Sequence, residues 1–250
     1  MSAARRVPGF ARAVRAIALR EAASFFRLPS GWITLALWQA VSAAGFLLLA
    51  LRPGEPATMR AFFALAGWLA LPVAPAVSMR LLSEEYRAGT IEPLWGAPIS
   101  EWAIVWGKFT GALLFLGALM VSTAPYPIAL ALASDPAPDL GPILAGYLSL
   151  ALLGTLALSI GLVASACTSG QTLAFLASAF AMLLILLVPV VPPSFAPEPL
   201  RPALAALFIG VRLDDLAKGV IDVSHVAYFV SISAWLVLVA GLVLKLRRLA

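Results

Sequence analysis

The chain has 250 residues, of which 62% are hydrophobic and 12% charged, and its mean hydropathy is +0.99. A soluble domain carries about 25% charged residues; with half that share, this chain cannot cover its apolar surface with polar groups, and its solvent is lipid. The formal charge of +5 arises from 17 Lys and Arg against 12 Asp and Glu, and because the basic residues gather beside apolar runs they read as topology signals rather than as a nucleic-acid surface.

At the N-terminus, Phe10, Val14, Ile17, Ala18, Phe25 and Leu28 share one helical arc, and Arg12, Arg15, Arg20 and Arg27 lie opposite. This pattern predicts an interfacial helix within residues 1–31, its apolar face in acyl chains and its arginines near anionic headgroups. A juxtamembrane helix without a function of its own fits the same residues, and Glu21 interrupts the apolar arc. Pro29-Ser30-Gly31 then turns the chain into the membrane, with Ser30 as the expected helix cap. The first apolar run starts near Trp32, too deep and too long for a secretory signal core, so it reads as a retained span. An Arg-rich, acid-poor start also fits a mitochondrial transit peptide.

A crossing needs roughly 20 apolar residues. Six segments qualify: Trp32–Leu51, Ala61–Met79, Ala103–Ala124, Ile143–Ala166, Thr172–Val191 and Ala227–Leu244. The expected class is therefore an all-α integral membrane protein with one transmembrane domain over residues 1–250. Pro72 and Pro75 predict kinks in the second span, inside the protein rather than against lipid. The stretch Leu140–Pro197 has no charge, and the polar break from Cys167 to Gln171 divides it into two spans. With the N-terminus inside, five of the 17 Lys and Arg lie outside (Arg52, Arg60, Arg201, Arg212 and Lys218) and the rest inside. That asymmetry puts both termini in the cytoplasm. Between Pro192 and Ser224, two short semi-apolar pieces predict a re-entrant or outer helix pair before the last span.

The most informative segment follows the second span, from Ser83 through Trp102 to Gly107-Lys108-Phe109. Gly89 suits the left-handed residue that ends a helix carrying Glu84–Ala88. Thr90 suits the cap of a second short helix, with Glu92 and Pro93 in its first turn and Gly96 at its end. Ser100 caps the third span, Glu101 favours its positive end, and Lys108 is placed to snorkel to the headgroups. The product is a short amphipathic helix across the mouths of two spans. Ile91, Leu94 and Trp95 would fill a partner's pocket, and Glu84, Glu85, Arg87 and Glu92 would offer charge pairing; a solvated connecting loop is the plainer reading.

Glu84, Glu85, Gly89, Thr90, Glu92, Leu94, Pro98, Ser100, Gly107 and Lys108 match the pattern Glu-Glu-x-x-x-Gly-Thr-x-Glu-x-Leu-x-x-x-Pro-x-Ser followed by Gly-Lys. This resembles type-two ATP-binding-cassette (ABC) exporter permeases, most closely the gliding-motility and multidrug-export branch. Asp214-Asp215-x-x-Lys218-Gly219-Val220-Ile221-Asp222 is similar to the segment before the last span in that branch. Pro93 and Trp95-Gly96 depart from the leucine or threonine run frequent there. The resemblance implies a six-span permease that pairs with a second permease subunit, as homo- or heterodimer, and binds a cytoplasmic ABC ATPase. The coupling loop would comprise Glu84, Glu85, Arg87, Gly89, Thr90, Ile91, Glu92, Leu94, Trp95 and Pro98. It also implies a bacterial inner membrane location and an unidentified exported substrate. ATP and Mg would be held by the partner, since this chain has no Gly-x-x-x-x-Gly-Lys-Ser/Thr loop; no cofactor, metal or catalytic residue is expected in the chain itself.

Three rivals are weaker. An ion-coupled secondary transporter would bury acidic, basic or histidine residues near the centres of its spans. An intramembrane enzyme would need a nucleophile with a base; Cys167 and His225 fall on opposite sides, and Ser159, Ser165 and Ser178 have no visible basic partner. A non-transporting assembly subunit is separated from an exporter by the ATPase partner.

Overall fold

The computed structural model describes residues 9–52, 54, 56–96, 99–187 and 222–249, which are helical with no strand among them. The helices are α1 (Phe10–Arg27), α2 (Pro29–Gly45, continued by a π-helical turn Phe46–Ala50), α3 (Arg60–Ser78), α4 (Ser83–Arg87) and α5 (Ile91–Gly96). They are followed by α6 (Glu101–Val121), α7 (Pro125–Ala133), α8 (Leu140–Cys167), α9 (Gln171–Leu187) and α10 (Val223–Leu249). Five stretches are long and apolar enough to cross a membrane: Pro29–Ala50, Arg60–Arg87, Glu101–Ala133, Leu140–Cys167 and Val223–Leu249. With the composition, they make this an all-α integral membrane protein. The fifth expected span corresponds to α9, 17 residues long as described. Residues 188–191 of that span, and the helix pair expected over 192–221 with its Asp214–Ile221 motif, lie outside the described residues.

Two expected boundaries shift, each for a proline. Pro29 occupies the first helical position of α2, where its missing N–H costs nothing, so Ser30 lies inside the helix instead of capping it. The third span does not stop in a loop. A turn over Ser122–Ala124 precedes Pro125, and the chain resumes as α7, with Tyr126 and Leu130 turned into the core. Sequence spacing alone hid α7, because its nine apolar residues are too few to count as a crossing. Pro72 and Pro75 are both carried within α3. The division at Cys167–Gln171 is where α8 ends and α9 begins.

α8 is the central post, packed on α3, α6, α9 and α10. A Cβ at its Gly161 would lie 1.7 Å from Ser78 Oγ of α3, so the two helices meet there only because the side chain is absent. Small residues at such crossings are the usual means of helix association where lipid removes the hydrophobic incentive.

The N-terminal helix forms, but the middle of its apolar arc is turned into the protein, while Phe10 and Leu28 at its ends stay exposed. Ala13, Ile17, Ala18, Glu21 and Phe25 are buried, and α1 packs along α6. The two helices run in the same direction and match at steps of four residues. A Cβ on Gly107 would come 2.6 Å from Ile17 Cβ, one on Gly111 would come 2.5 Å from Glu21 Cβ, and Phe25 stacks on Phe115 at 4.5 Å. Gly107-x-x-x-Gly111 is thus the groove that admits α1. Arg12, Arg15, Arg20 and Arg27 remain exposed on the opposite side.

Gly111→Ala should therefore destabilise the protein by about 1–3 kcal/mol through overpacking against α1. Gly117→Ala, in the same helix with nothing within 4 Å of its added Cβ, should be neutral or stabilising by about 0.5–1 kcal/mol. Thermal unfolding of the two variants in one detergent checks the contrast; equal effects would contradict the packing.

Candidate coupling loop

The loop begins where α3 ends. Ser165 of α8 fixes its root with one hydroxyl: Oγ accepts the N–H groups of Leu82 and Ser83, each at 2.9 Å, and donates to the Met79 carbonyl at 3.1 Å. Leu81 and Leu82 are fully buried beside it. The sequence shows no basic partner for Ser165; its three bonds go to backbone groups too distant in sequence to foresee.

α4 has only five residues and could not persist alone in water. Its end matches the expectation for Gly89, which adopts φ +66°. The Thr90 N–H bonds the Glu85 carbonyl at 3.0 Å and the Gly89 N–H bonds Tyr86 at 3.3 Å, the paired bonds of a left-handed helix stop. Thr90 departs from its expected role, since its hydroxyl donates to the Glu85 carboxylate instead of capping α5. Its carbonyl still accepts the Leu94 N–H at 3.3 Å. Ser100 caps α6 as expected, accepting the Ala103 N–H at 3.2 Å.

The electrostatics divide the loop into two faces. Lys108 Nζ lies 3.1 Å from Glu21 Oε2 and 3.0 Å from Glu85 Oε1, and Arg20 reaches the same Glu85 oxygen at 3.6 Å. The chain of charges Arg20, Glu85, Lys108, Glu21 joins α1, α4 and α6. The Lys108 side chain is 3% exposed, so it does not snorkel to the headgroups. Its ammonium has two carboxylates within reach, and leaving them would strand the buried Glu21 without a counter-ion. Glu85 is accordingly an internal tie rather than a charge offered to a partner. Ile91 is also turned inward, buried in the core, and Leu94 packs on the same cluster; they anchor α5 instead of filling a pocket elsewhere.

Outward, Glu84, Arg87, Gly89, Thr90, Glu92 and Pro93 are exposed. Trp95 is described only through its backbone in α5, and Pro98 lies outside the described residues. The far end of the loop is held by α10, whose Arg248 pairs with Glu101. Arg247 donates to the Cys167 carbonyl and lies 4.7 Å over the Tyr86 ring. Cys167 thus sits at the C-terminal end of α10 and His225 near its start, 22 residues from Arg247 and so about 33 Å away along the helix; the two cannot act together. Among the described residues no group of three or more His, Cys, Asp or Glu could hold a metal ion. The arrangement is a charged outer face on a loop tied inward by ion pairs and hydrogen bonds.

The ion chain that joins Glu21, Lys108 and Arg20 to Glu85 was what sequence reading missed. The available signal was Glu21 itself: a carboxylate inside an apolar arc requires a buried cation. The family model described as "ABC-2 family transporter protein" matches residues 16–248, which includes this loop and most or all of each helix that holds it. No curated protein matches the chain.

Lys108→Met leaves Glu21 buried without its counter-ion and Glu85 with Arg20 alone, and should cost about 3–5 kcal/mol. Removing Glu21 as well, in Glu21→Met/Lys108→Met, should recover part of that loss. A double-mutant cycle on unfolding in detergent measures the coupling; strictly additive effects would show that the charges do not act as a network.

Proposed function

Because the chain belongs to the ABC-2 family of transporter proteins, and so is a membrane-embedded permease subunit of an ABC transporter, we propose that the loop between α3 and α6 is its docking site for a cytoplasmic ABC ATPase. An ABC ATPase is the kind of partner such permeases take. The observation that carries the proposal is the division of the loop: Glu84, Arg87, Thr90 and Glu92 face outward, while Glu85, Ile91 and Leu94 bind inward. A solvated connector would have no need of a buried ion chain and a triply bonded serine at its root.

The physical account runs through rigidity. Nucleotide-driven closure of the ATPase would displace the exposed face of α4 and α5. Since Glu85 is paired with Lys108 and Arg20, α6 and α1 would move with α4. Ser165 would carry the same displacement into α8. Sliding of packed helices between two arrangements is a recognised form of such transitions, and here it would exchange inward- and outward-facing states of a dimer of two permease subunits. ATP and Mg would be held by the ATPase, this chain contributing the path for an exported substrate. The charge asymmetry of the sequence favours cytoplasmic termini, in a bacterial inner membrane, and the motif match favours the gliding-motility and multidrug-export branch.

Glu92→Lys tests the docking face. Glu92 is exposed, so the thermal unfolding midpoint should stay unchanged. Capture of the ATPase should fall on the order of tenfold, as for removal of a favourable interfacial charge and its replacement by the opposite sign. Unchanged capture would remove the proposal. Orientation is tested separately with Arg87→Cys in a Cys167→Ser background, Cys167 being exposed. An impermeant maleimide should reach the new thiol only from the cytoplasmic side of sealed vesicles; labelling from the other side would invert the topology.

A further inference from the structure

The turn that roots the loop also holds a buried cation with a donor to spare. Arg80 is 8% exposed, its guanidinium carbon lies 4.3 Å over the Phe25 ring, and Nη1 donates to Ser30 Oγ at 2.9 Å. Nη2 is buried with no hydrogen-bond partner. An unmet charged donor is costly unless something accepts from it.

Beside it opens a crevice of about 240 Å³, walled on its polar side by Arg80, Ser30, Thr34, Glu84, Arg87 and Gln171. Gln171 is the first residue of α9, a helix of 17 residues. The residue before it, Gly170, accepts the first helical bond from Ala174 at 3.0 Å but has no side chain with which to cap. The leading amides of α9, at the positive end of a helix dipole, therefore take no side-chain cap from Gly170. An arginine fork with an unused N–H and an uncapped helix N-terminus, at one crevice, form a receptor for a tetrahedral oxyanion.

We propose that this crevice binds a phosphate group, that of an anionic phospholipid in the leaflet at the loop's end of the bundle. The second wall argues for the lipid source: Leu28, Ala76 and Val77 line it, and Trp32, Ile33 and Leu37 stand exposed on the first turns of α2 nearby. A headgroup seated on Arg80 would place its glycerol and acyl chains along that apolar side. Glu84 is the carboxylate within Coulombic range of Arg80 at the crevice, with Glu21 behind it, so a phosphate must outcompete Glu84 for the guanidinium. Glu84 and Arg87 are shared with the proposed docking face, but Glu92, whose variant tests docking, does not line the crevice, and lipid binding is measured without an ATPase, so the two readings fail separately.

Native mass spectrometry of the whole chain in a zwitterionic detergent tests it, with phosphatidylglycerol, phosphatidylcholine and inorganic phosphate as probes. Phosphatidylglycerol should occupy one saturable site more tightly than phosphatidylcholine. Arg80→Met should weaken it on the order of tenfold, the loss of a charge-assisted bond, and Glu84→Gln should tighten it several-fold by removing the competitor. Inorganic phosphate that binds as tightly, with the same variant effects, would assign the phosphate site to a soluble anion in place of the lipid. Wild-type affinity for both probes in Glu84→Gln and Arg80→Met overturns the proposal. Should Arg80→Met fail to fold, the exposed Glu84→Gln decides alone.

Discussion

A lysine ammonium buried among helices tolerates few surroundings, and Lys108 fixes those around it. In apolar surroundings an unpaired ammonium would cost several kcal/mol, so the fold must deliver carboxylates to it. One comes from α1 as Glu21 and one from α4 as Glu85, at 3.1 and 3.0 Å. Arg20 then closes the sequence on the exposed side. Two positive and two negative groups alternate, so the cluster is neutral as a whole. This sets the rotation of α1 about its own axis, since only one face carries Glu21. It also sets the placement of α4, which has too few residues to hold itself.

The glycine groove makes that ion chain geometrically attainable. Glu21 reaches Lys108 because α1 approaches α6 closely, and it does so because Gly107 and Gly111 present no Cβ. The Phe25–Phe115 stack continues the same contact one turn further. Packing and electrostatics are therefore coupled: either a bulky residue in the groove or the loss of the cation disturbs the same interface. Such coupling favours motion of α1, α4 and α6 as a group, which is the property the proposed docking role requires.

What was legible in the sequence was what depends on near neighbours. The apolar runs, the break at Cys167–Gln171, the left-handed Gly89 and the cap at Ser100 all rest on residues within a few positions of each other. What was not legible depends on contacts across the fold. Glu21 looked like a flaw in an amphipathic helix because its partner lies 87 positions away. Lys108 looked like a snorkelling residue because its distance from the end of α6 permits it, and only the arrival of two carboxylates decides otherwise. Ser30 had the residue type of a cap, yet its oxygen is used by Arg80, 50 positions on. Ile91 and Leu94 were recognised as apolar and helical, but the choice between an internal and an external partner is not encoded in a six-residue pattern.

The adjacent carboxylates Glu84 and Glu85 show how one short element serves two directions. Successive residues on a helix point about 100° apart, so a single turn sends Glu85 to Lys108 and leaves Glu84 at the surface. If α4 were longer, it could stand on its own hydrogen bonds and slide or rotate independently of its neighbours. At five residues it exists through the local stop at Gly89 and through Ser165 and Glu85, the last two tied to different parts of the bundle. Its outward face is therefore presented by tertiary contacts, and a load on that face is borne by α1, α6 and α8 before α4 itself can unwind. In the proposed docking role, the shortness of the helix would make it a lever and not a hinge.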